Sequence, residues 1–226
     1  MRRLSAEGAT VYAGYHSSRA AVDALVGAAA DDAGRIVPLA VDVTDSESVG
    51  AAFERVVSDC GRIDALVCAA GGPADALLLR VRDRALDESL RLNLTSAVYC
   101  ARAALPTMLK RRYGRIALVG SVVASTGNEG QSVYAAAKAG LEGFARSLAR
   151  EVGTRGITVN CVAPGWIDTE MTRTLPDAHR ERVLAATALR RVGTVDEVAD
   201  AVAYLCAQQA SYVTGAVLHV NGGMFM

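Results

Sequence analysis

Tyr134 and Lys138 stand four residues apart in the run Tyr134-Ala-Ala-Ala-Lys138, a spacing that places a phenol and an ammonium on one face of a helix. A cation beside a phenol favours phenolate and draws the tyrosine pKa down from about 10, towards the range in which it can give and take a proton. Ser121 follows the strand-like run Arg115 to Val119, so its hydroxyl is expected at the carboxyl edge of a sheet, where it could hydrogen-bond a carbonyl oxygen. Phenol, ammonium and hydroxyl together would form a proton-transfer site for a carbonyl or an alcohol. The Tyr–Lys spacing alone also fits an ordinary solvated helix pair. The choice between the two depends on the elements around it.

Short β-type runs alternate with Ala-rich amphipathic stretches along the whole chain, the pattern of parallel strands joined by crossover helices. The expected strands are Ala9 to Tyr15, Ile36 to Val41, Ala65 to Cys68, Arg115 to Val119, Thr158 to Ala163 and Val217 to Val220. The expected helices are Arg19 to Ala30, Ser46 to Cys60, Arg84 to Arg111, Tyr134 to Val152, Asp177 to Ala186 and Val195 to Ala207. This predicts an α/β fold with a doubly wound parallel sheet, Rossmann-like, in a single domain over 1–226, since no repeat or long linker marks a second. The segment from Gly165 to about Pro176 reads as irregular, either a lid or a plain surface loop. Such sheets bind ligands outside the carboxyl ends of their strands. Those positions hold His16 to Arg19, Asp42-Val43, Ala69 to Gly71, Gly120-Ser121 and Pro164-Gly165.

Composition narrows the partners. Lys+Arg and Asp+Glu both count 24, so no global positive field exists to hold nucleic acid or anionic lipid. A small substrate or a protein partner is expected instead. Cys60, Cys68, Cys100, Cys161 and Cys206 form no CxxC pair and share no spacing with His16, His179 or His219, so no metal site is expected. Their scatter through apolar stretches reads as small buried side chains in a reducing compartment. No apolar run reaches the roughly 18 residues of a membrane span, and the start lacks a signal peptide's apolar run. A soluble cytoplasmic protein is expected.

The runs Gly120-Ser-Val-Val-Ala124, Gly127-Asn-Glu-Gly-Gln131 and Tyr134-Ala-Ala-Ala-Lys-Ala-Gly140 resemble the catalytic segment of the short-chain dehydrogenase/reductase family. The resemblance continues through Ile157-Thr-Val-Asn-Cys-Val-Ala-Pro-Gly165 to Val213-Thr-Gly215 and Val220-Asn-Gly-Gly-Met224. Within the family, the GNxGQ run, the segment Asp75 to Arg80 and the terminal HVNGGMFM look most like the bacterial reductases of 3-oxoacyl-acyl-carrier protein. The resemblance implies NADPH-dependent reduction of a 3-oxoacyl thioester in fatty-acid or polyketide synthesis. Tyr134 would be the general acid, Lys138 would hold the nicotinamide ribose and lower the Tyr134 pKa, and Ser121 would orient the carbonyl. Asn93 would anchor a water that resupplies protons, although a polar residue within a long helix can also simply satisfy local backbone.

The resemblance assigns further residues to the cofactor. Where the family places an acid for the ribose of NAD, this chain has Ser17, Ser18 and Arg19, whose hydroxyls and cation suit the ribose phosphate of NADPH. Asp42 and Val43 match the adenine-contacting pair, Ala70 and Gly71 the loop at the cofactor, and Pro164, Gly165, Ile167 and Thr169 the loop over the nicotinamide. Tyr134 and Lys138 would touch the cofactor as well. The basic run Lys110-Arg-Arg112 and Arg155 match positions where such reductases bind acyl-carrier protein, with cations expected near the mouth of the site. Either could also be a solvated helix end. Val217 to Met226 resembles the apolar strand and tail through which family members assemble as homotetramers.

Two departures are visible. Family members begin with a buried strand and a TGxxxGIG turn that cradles the pyrophosphate, whereas Leu4 to Val11 looks like the end of the following helix and the next strand. Roughly the first twenty family positions are missing by this comparison. That strand would lie inside the sheet, so a slot is expected, with about ten backbone groups unpaired at roughly 1–3 kcal/mol each if buried. The total rivals a typical stability of roughly 5–15 kcal/mol, so the chain is expected to be an incomplete version of the active protein. The rival expectation is a short form, non-catalytic or cofactor-deficient, that pairs with a complete reductase as a hetero-oligomer. A reductase of another small carbonyl compound is the third. The second departure is Cys68-Ala-Ala-Gly71, where the family usually has Asn-Asn-Ala-Gly.

Overall fold

The computed structural model describes residues 1–27, 34–73, 75–169 and 177–226. Every strand pair in it is parallel, as the alternation of strand and helix requires. Strands β1 (Val11–Tyr15) and β2 (Ile36–Ala40) form one sheet. Strands β3 (Ala65–Cys68), β4 (Gly114–Val119), β5 (Ile157–Pro164) and β6 (Val217–Val220) form a second, in that order. Among the described residues β1 and β3 do not pair, so the strands fall into two sheets.

The period-two alternation of the strands decides which side each residue packs on. Ile116 and Leu118 of β4 and Ile157, Val159 and Cys161 of β5 join one buried cluster, against α3 (Ser46–Cys60), α5 (Ser96–Arg111) and α7 (Ser132–Val152). Ala117 and Val162 face the other way, onto Val202 and Leu205 of α9 (Val195–Cys206). Leu39 and Val41, from the two-stranded side, belong to the same cluster as Leu66 and Ile116, so one apolar core spans the division. Each fully buried Leu or Ile stabilises this core by roughly 1.5–3 kcal/mol. Helix α2 (Arg19–Gly27) closes a smaller cluster by packing Val22 on Ala13 and Ile36.

The helix ends carry their own signals. Asp45 caps α3 by accepting from the backbone amides of Glu47 and Ser48, and Gly61 ends it with φ 70°, in the left-handed region that favours glycine. Thr194 and Glu197 form a reciprocal capping box on α9. A short helix α1 (Arg2–Ala6) precedes β1, and α8 (Asp177–Ala186) matches its expected span. The distal end expected for α2, and residues 170–176 of the irregular segment, lie outside the described residues.

Two expectations need correction. The single helix expected over Arg84 to Arg111 is instead α4 (Asp83–Leu90), a π-turn at Arg91–Thr95, and α5. Cys60 is exposed at the end of α3, with its thiol 3.4 Å from the Tyr12 hydroxyl. Helix-end position, invisible to a count of apolar neighbours, put it outside. Among the described residues no helix is long and apolar enough to cross a membrane, and no cluster of His, Cys, Asp or Glu has metal-binding geometry.

Candidate active site

The carboxyl ends of β4 and β5 set the first side chain. Gly120 N donates to Val162 O at 2.7 Å and Val122 N to Pro164 O at 2.8 Å, so the backbone on both sides of Ser121 is tied to the neighbouring strand. The chain then turns into the short helix α6 (Val123–Thr126), with Val123 N donating to Ser121 Oγ at 3.4 Å. Tyr134 lies in the first turn of α7 and Lys138 one turn further. The Ser121 hydroxyl lies near enough to the Tyr134 phenol to lower its pKa. The Lys138 Nζ lies 5.7 Å from the centroid of the Tyr134 ring and donates to Val119 O at 2.9 Å.

Burial dominates the electrostatics. Lys138 is only 3% exposed, and desolvation pulls its pKa from 10.5 to about 8, against the weaker upward pull of the Cys161 and Cys68 thiols. The Tyr134 phenol moves up from its ordinary value: burial raises it, the Ser121 hydroxyl lowers it, and Asp75 raises it. The expected depression of Tyr134 by Lys138 is therefore not what the geometry gives. The ammonium meets the face of the ring and is bonded to a backbone carbonyl, and among the described residues it makes no hydrogen bond to the phenol.

Asn93 is brought to the same place by the π-turn. Its Nδ2 donates to Ser89 O and to Gly72 O, both at 3.1 Å, and its Oδ1 accepts from Gly72 N at 3.1 Å. Ser96 Oγ also donates back to Leu92 O at 2.6 Å. Side chains that compete for backbone groups in this way disturb the α-ladder, and a π-turn re-aims the residue within it. Asn93 is 2% exposed and pins the loop after β3. A Cβ added to Gly71 would fall 2.8 Å from Asn93 Oδ1 and 3.1 Å from Lys138 Nζ. Backbone without a side chain thus passes directly over the buried Asn–Lys pair, a cradle that a Cβ would fill and one that fits the close approach of a nicotinamide ribose.

The remaining cofactor candidates line the same edge. Ser17, Ser18 and Arg19 are exposed just beyond β1, and Asp42 and Val43 follow β2. Arg19 is paired with Asp23 at 2.8 Å and donates to the Tyr15 hydroxyl at 3.3 Å, so its cation is partly engaged. An exposed pair of this kind is worth at most about 1 kcal/mol and can exchange for a phosphate. Asp42 accepts from the amide and hydroxyl of Thr44, which hold its pKa below the usual carboxylate value, and lies 3.9 Å from His16. Ala70 is exposed beside Gly71. Pro164 and Gly165 end β5, and a Cβ on Gly165 would strike Asn221 at 2.7 Å. Ile167 bridges to Gly193, and Thr169 stands at the last described position before residue 177.

Arg112 and Arg155 do not sit where they were expected. Arg112 donates to Thr154 O at 2.8 Å, which brings the two arginines together, but at the amino ends of β4 and β5. The six residues of β4 separate that edge from Ser121, about 20 Å at the rise of a strand. Within one chain the pair is therefore remote from the mouth of the site. Chain direction explains the displacement: both arginines precede their strands, whereas Ser121 follows one.

The sequence reading found the four central residues but not two polar partners at the rim, Asp75 and Gln131. Gln131 Nε2 donates to Asp75 Oδ1 at 2.7 Å across 56 residues. Both lay in runs that carried the family resemblance, which was the only signal for them.

Comparison with known proteins adds an independent finding. A family model described as enoyl-(acyl carrier protein) reductase matches residues 1–225. The 3-oxoacyl-[acyl-carrier-protein] reductase of Escherichia coli K12 is 48% identical over 188 residues, covering 83% of this chain and 77% of the relative. The corresponding reductase of Pseudomonas aeruginosa is 50% identical over 188 residues, 83% of this chain and 76% of its own length. That of Haemophilus influenzae is 47% identical over the same number, covering 83% and 78%.

Proposed function

Because the chain belongs to the short-chain dehydrogenase/reductase family of oxidoreductases, we propose that it reduces the 3-oxo group of an acyl thioester to the 3-hydroxy form, with NADPH as reductant and acyl-carrier protein as carrier. The observation that supports this most directly is the convergence of the Ser121 hydroxyl, at the carboxyl edge of β4, with the Tyr134 phenol and the buried Lys138 ammonium. When bound, NADPH supplies the hydride that forms the new C–H bond at the carbonyl carbon.

The chain's own residues handle the oxygen and its proton. Ser121 and Tyr134 both hydrogen-bond the substrate oxygen, which orients the carbonyl and polarises it. As negative charge grows there, the phenol O–H bond breaks and a new O–H bond forms on substrate. Lys138, with a pKa of about 8, is mostly protonated at neutral pH and so holds a proton with which the phenolate left behind can be recharged. Asn93 Oδ1 and Lys138 Nζ flank the same point beside Gly71, which suits a water that returns the proton through Lys138. Ser17, Ser18 and Arg19 are assigned to the ribose phosphate. Arg112 and Arg155 are proposed as a docking contact for an acidic carrier, away from the mouth, and the Val217 to Met226 tail as the contact of a homotetramer.

The test is reduction of a 3-oxoacyl thioester by the full chain with NADPH, paired with a 2-enoyl thioester because the family model's description names enoyl reduction. Tyr134→Phe should lower kcat/KM for the 3-oxo substrate by about a hundredfold or more, the typical contribution of a positioned acid. Activity retained within tenfold removes Tyr134 from the role. Turnover of the enoyl substrate alone replaces the 3-oxo reading.

A further inference from the structure

Gln131 occupies the N-cap position of α7 but makes no side-chain bond to its own helix. Its amide is used elsewhere: Nε2 donates to Asp75 Oδ1 at 2.7 Å, while Oε1 accepts from Asn128 Nδ2 at 3.0 Å. A backbone bond from Ala76 N to Gly130 O at 2.8 Å fastens the same loop to the same helix end. These contacts fix a carboxylate at the N-terminus of the 21-residue helix whose first turn carries Tyr134. Unpaired first-turn amides and the helix dipole favour an anion there.

We propose that Asp75, anchored by Gln131, is a positioning residue for Tyr134, its fixed negative charge acting on the phenol from the N-terminal end of α7. This rests on the reading of Tyr134 as the proton donor. A negative charge near a phenol disfavours the phenolate, so Asp75 holds the proton on oxygen until substrate draws it off, and biases the site towards reduction. The direction agrees with the upward influence of Asp75 on Tyr134, which is smaller than that of burial. Lys138 lies on the phenol's own helix and the neutral Ser121 acts on it from the carboxyl edge of β4, while Asp75, Arg80 and Arg82 gather at the helix end. These last three line a cavity of about 330 Å³ with Val133, the residue before Tyr134.

The experiment is a spectroscopic titration of phenolate in the full chain, taken as the difference between each protein and its Tyr134→Phe counterpart. Asp75 is exposed, so Asp75→Asn should lower the Tyr134 midpoint by only about half a pH unit, roughly a threefold change in ionisation constant. Gln131→Leu, which releases Asp75, should move it the same way by less, and molar salt should shrink both shifts. The alkaline limb of the NADPH-dependent rate should follow the midpoint. An unmoved midpoint in Asp75→Asn, with circular dichroism unchanged, overturns the proposal, and so does lost activity with an unchanged pH profile. A shifted midpoint in a chain that reduces no carbonyl sustains Asp75 and sinks the reductase reading.

Discussion

Replacing Lys138 with Met should make the protein more stable at neutral pH and inactive. Lys138 is 3% exposed, and its pKa falls from 10.5 to about 8 because burial penalises its charge. The sign follows from linkage: with the folded pKa below the unfolded one, stability tied to this group is present above 10.5 and lost as pH falls towards 8. At pH 7 the ammonium is charged in both states, and the displacement corresponds to a cost of about 3 kcal/mol. At pH 9.5 the folded amine is already neutral while the unfolded one is mostly charged, and the same cost falls to about 1.4 kcal/mol. Met keeps most of the apolar stem but abandons the bond to Val119 O, worth roughly 1–2 kcal/mol. The variant should thus be more stable than wild type by about 1–2 kcal/mol at pH 7, and equal or slightly less stable at pH 9.5. Urea denaturation at the two pH values measures both differences. A variant less stable at pH 7, or a difference that does not shrink with rising pH, refutes the claim that Lys138 is held charged against its solvation.

Two further substitutions test the cofactor side. Gly71→Ala places a methyl 2.8 Å from Asn93 Oδ1 and 3.1 Å from Lys138 Nζ, so it should displace both groups, destabilise by about 1–3 kcal/mol, and lower kcat more than tenfold. Thermal melting and steady-state kinetics report the two effects separately. Arg19→Ala removes the cation assigned to the ribose phosphate and should weaken NADPH binding by roughly tenfold while leaving NADH little changed, as expected for a hydrogen bond to a charged group. Calorimetric titration with both nucleotides decides it, and an equal loss for the two would place Arg19 outside the phosphate contact.

Much of this molecule is legible in one dimension because its elements are set by local periodicity. The strands Ala65–Cys68 and Val217–Val220 and the helix Ser46–Cys60 stand where residue pattern and capping put them. Tyr134 and Lys138 come together through a spacing within a single helix, and Ser121 reaches them because ligand sites of parallel sheets gather at the carboxyl ends of strands. The π-turn at Asn93 was not legible, since it depends on Gly72, 21 residues away, accepting and donating to the same amide. Nor was the face on which Arg112 and Arg155 lie evident from the resemblance that named them, although strand direction places them at the amino edge.

Residue types and their spacing along the chain determined which groups can carry out the chemistry, because those are properties of single elements. Tertiary structure decided how strongly each group holds its proton. Lys138 is drawn down and Tyr134 pushed up by the removal of water, and the hand-off from Gln131 to Asp75 spans 56 residues. Burial and charge separation arise only when elements pack, so no pattern read along one strand or helix contains them.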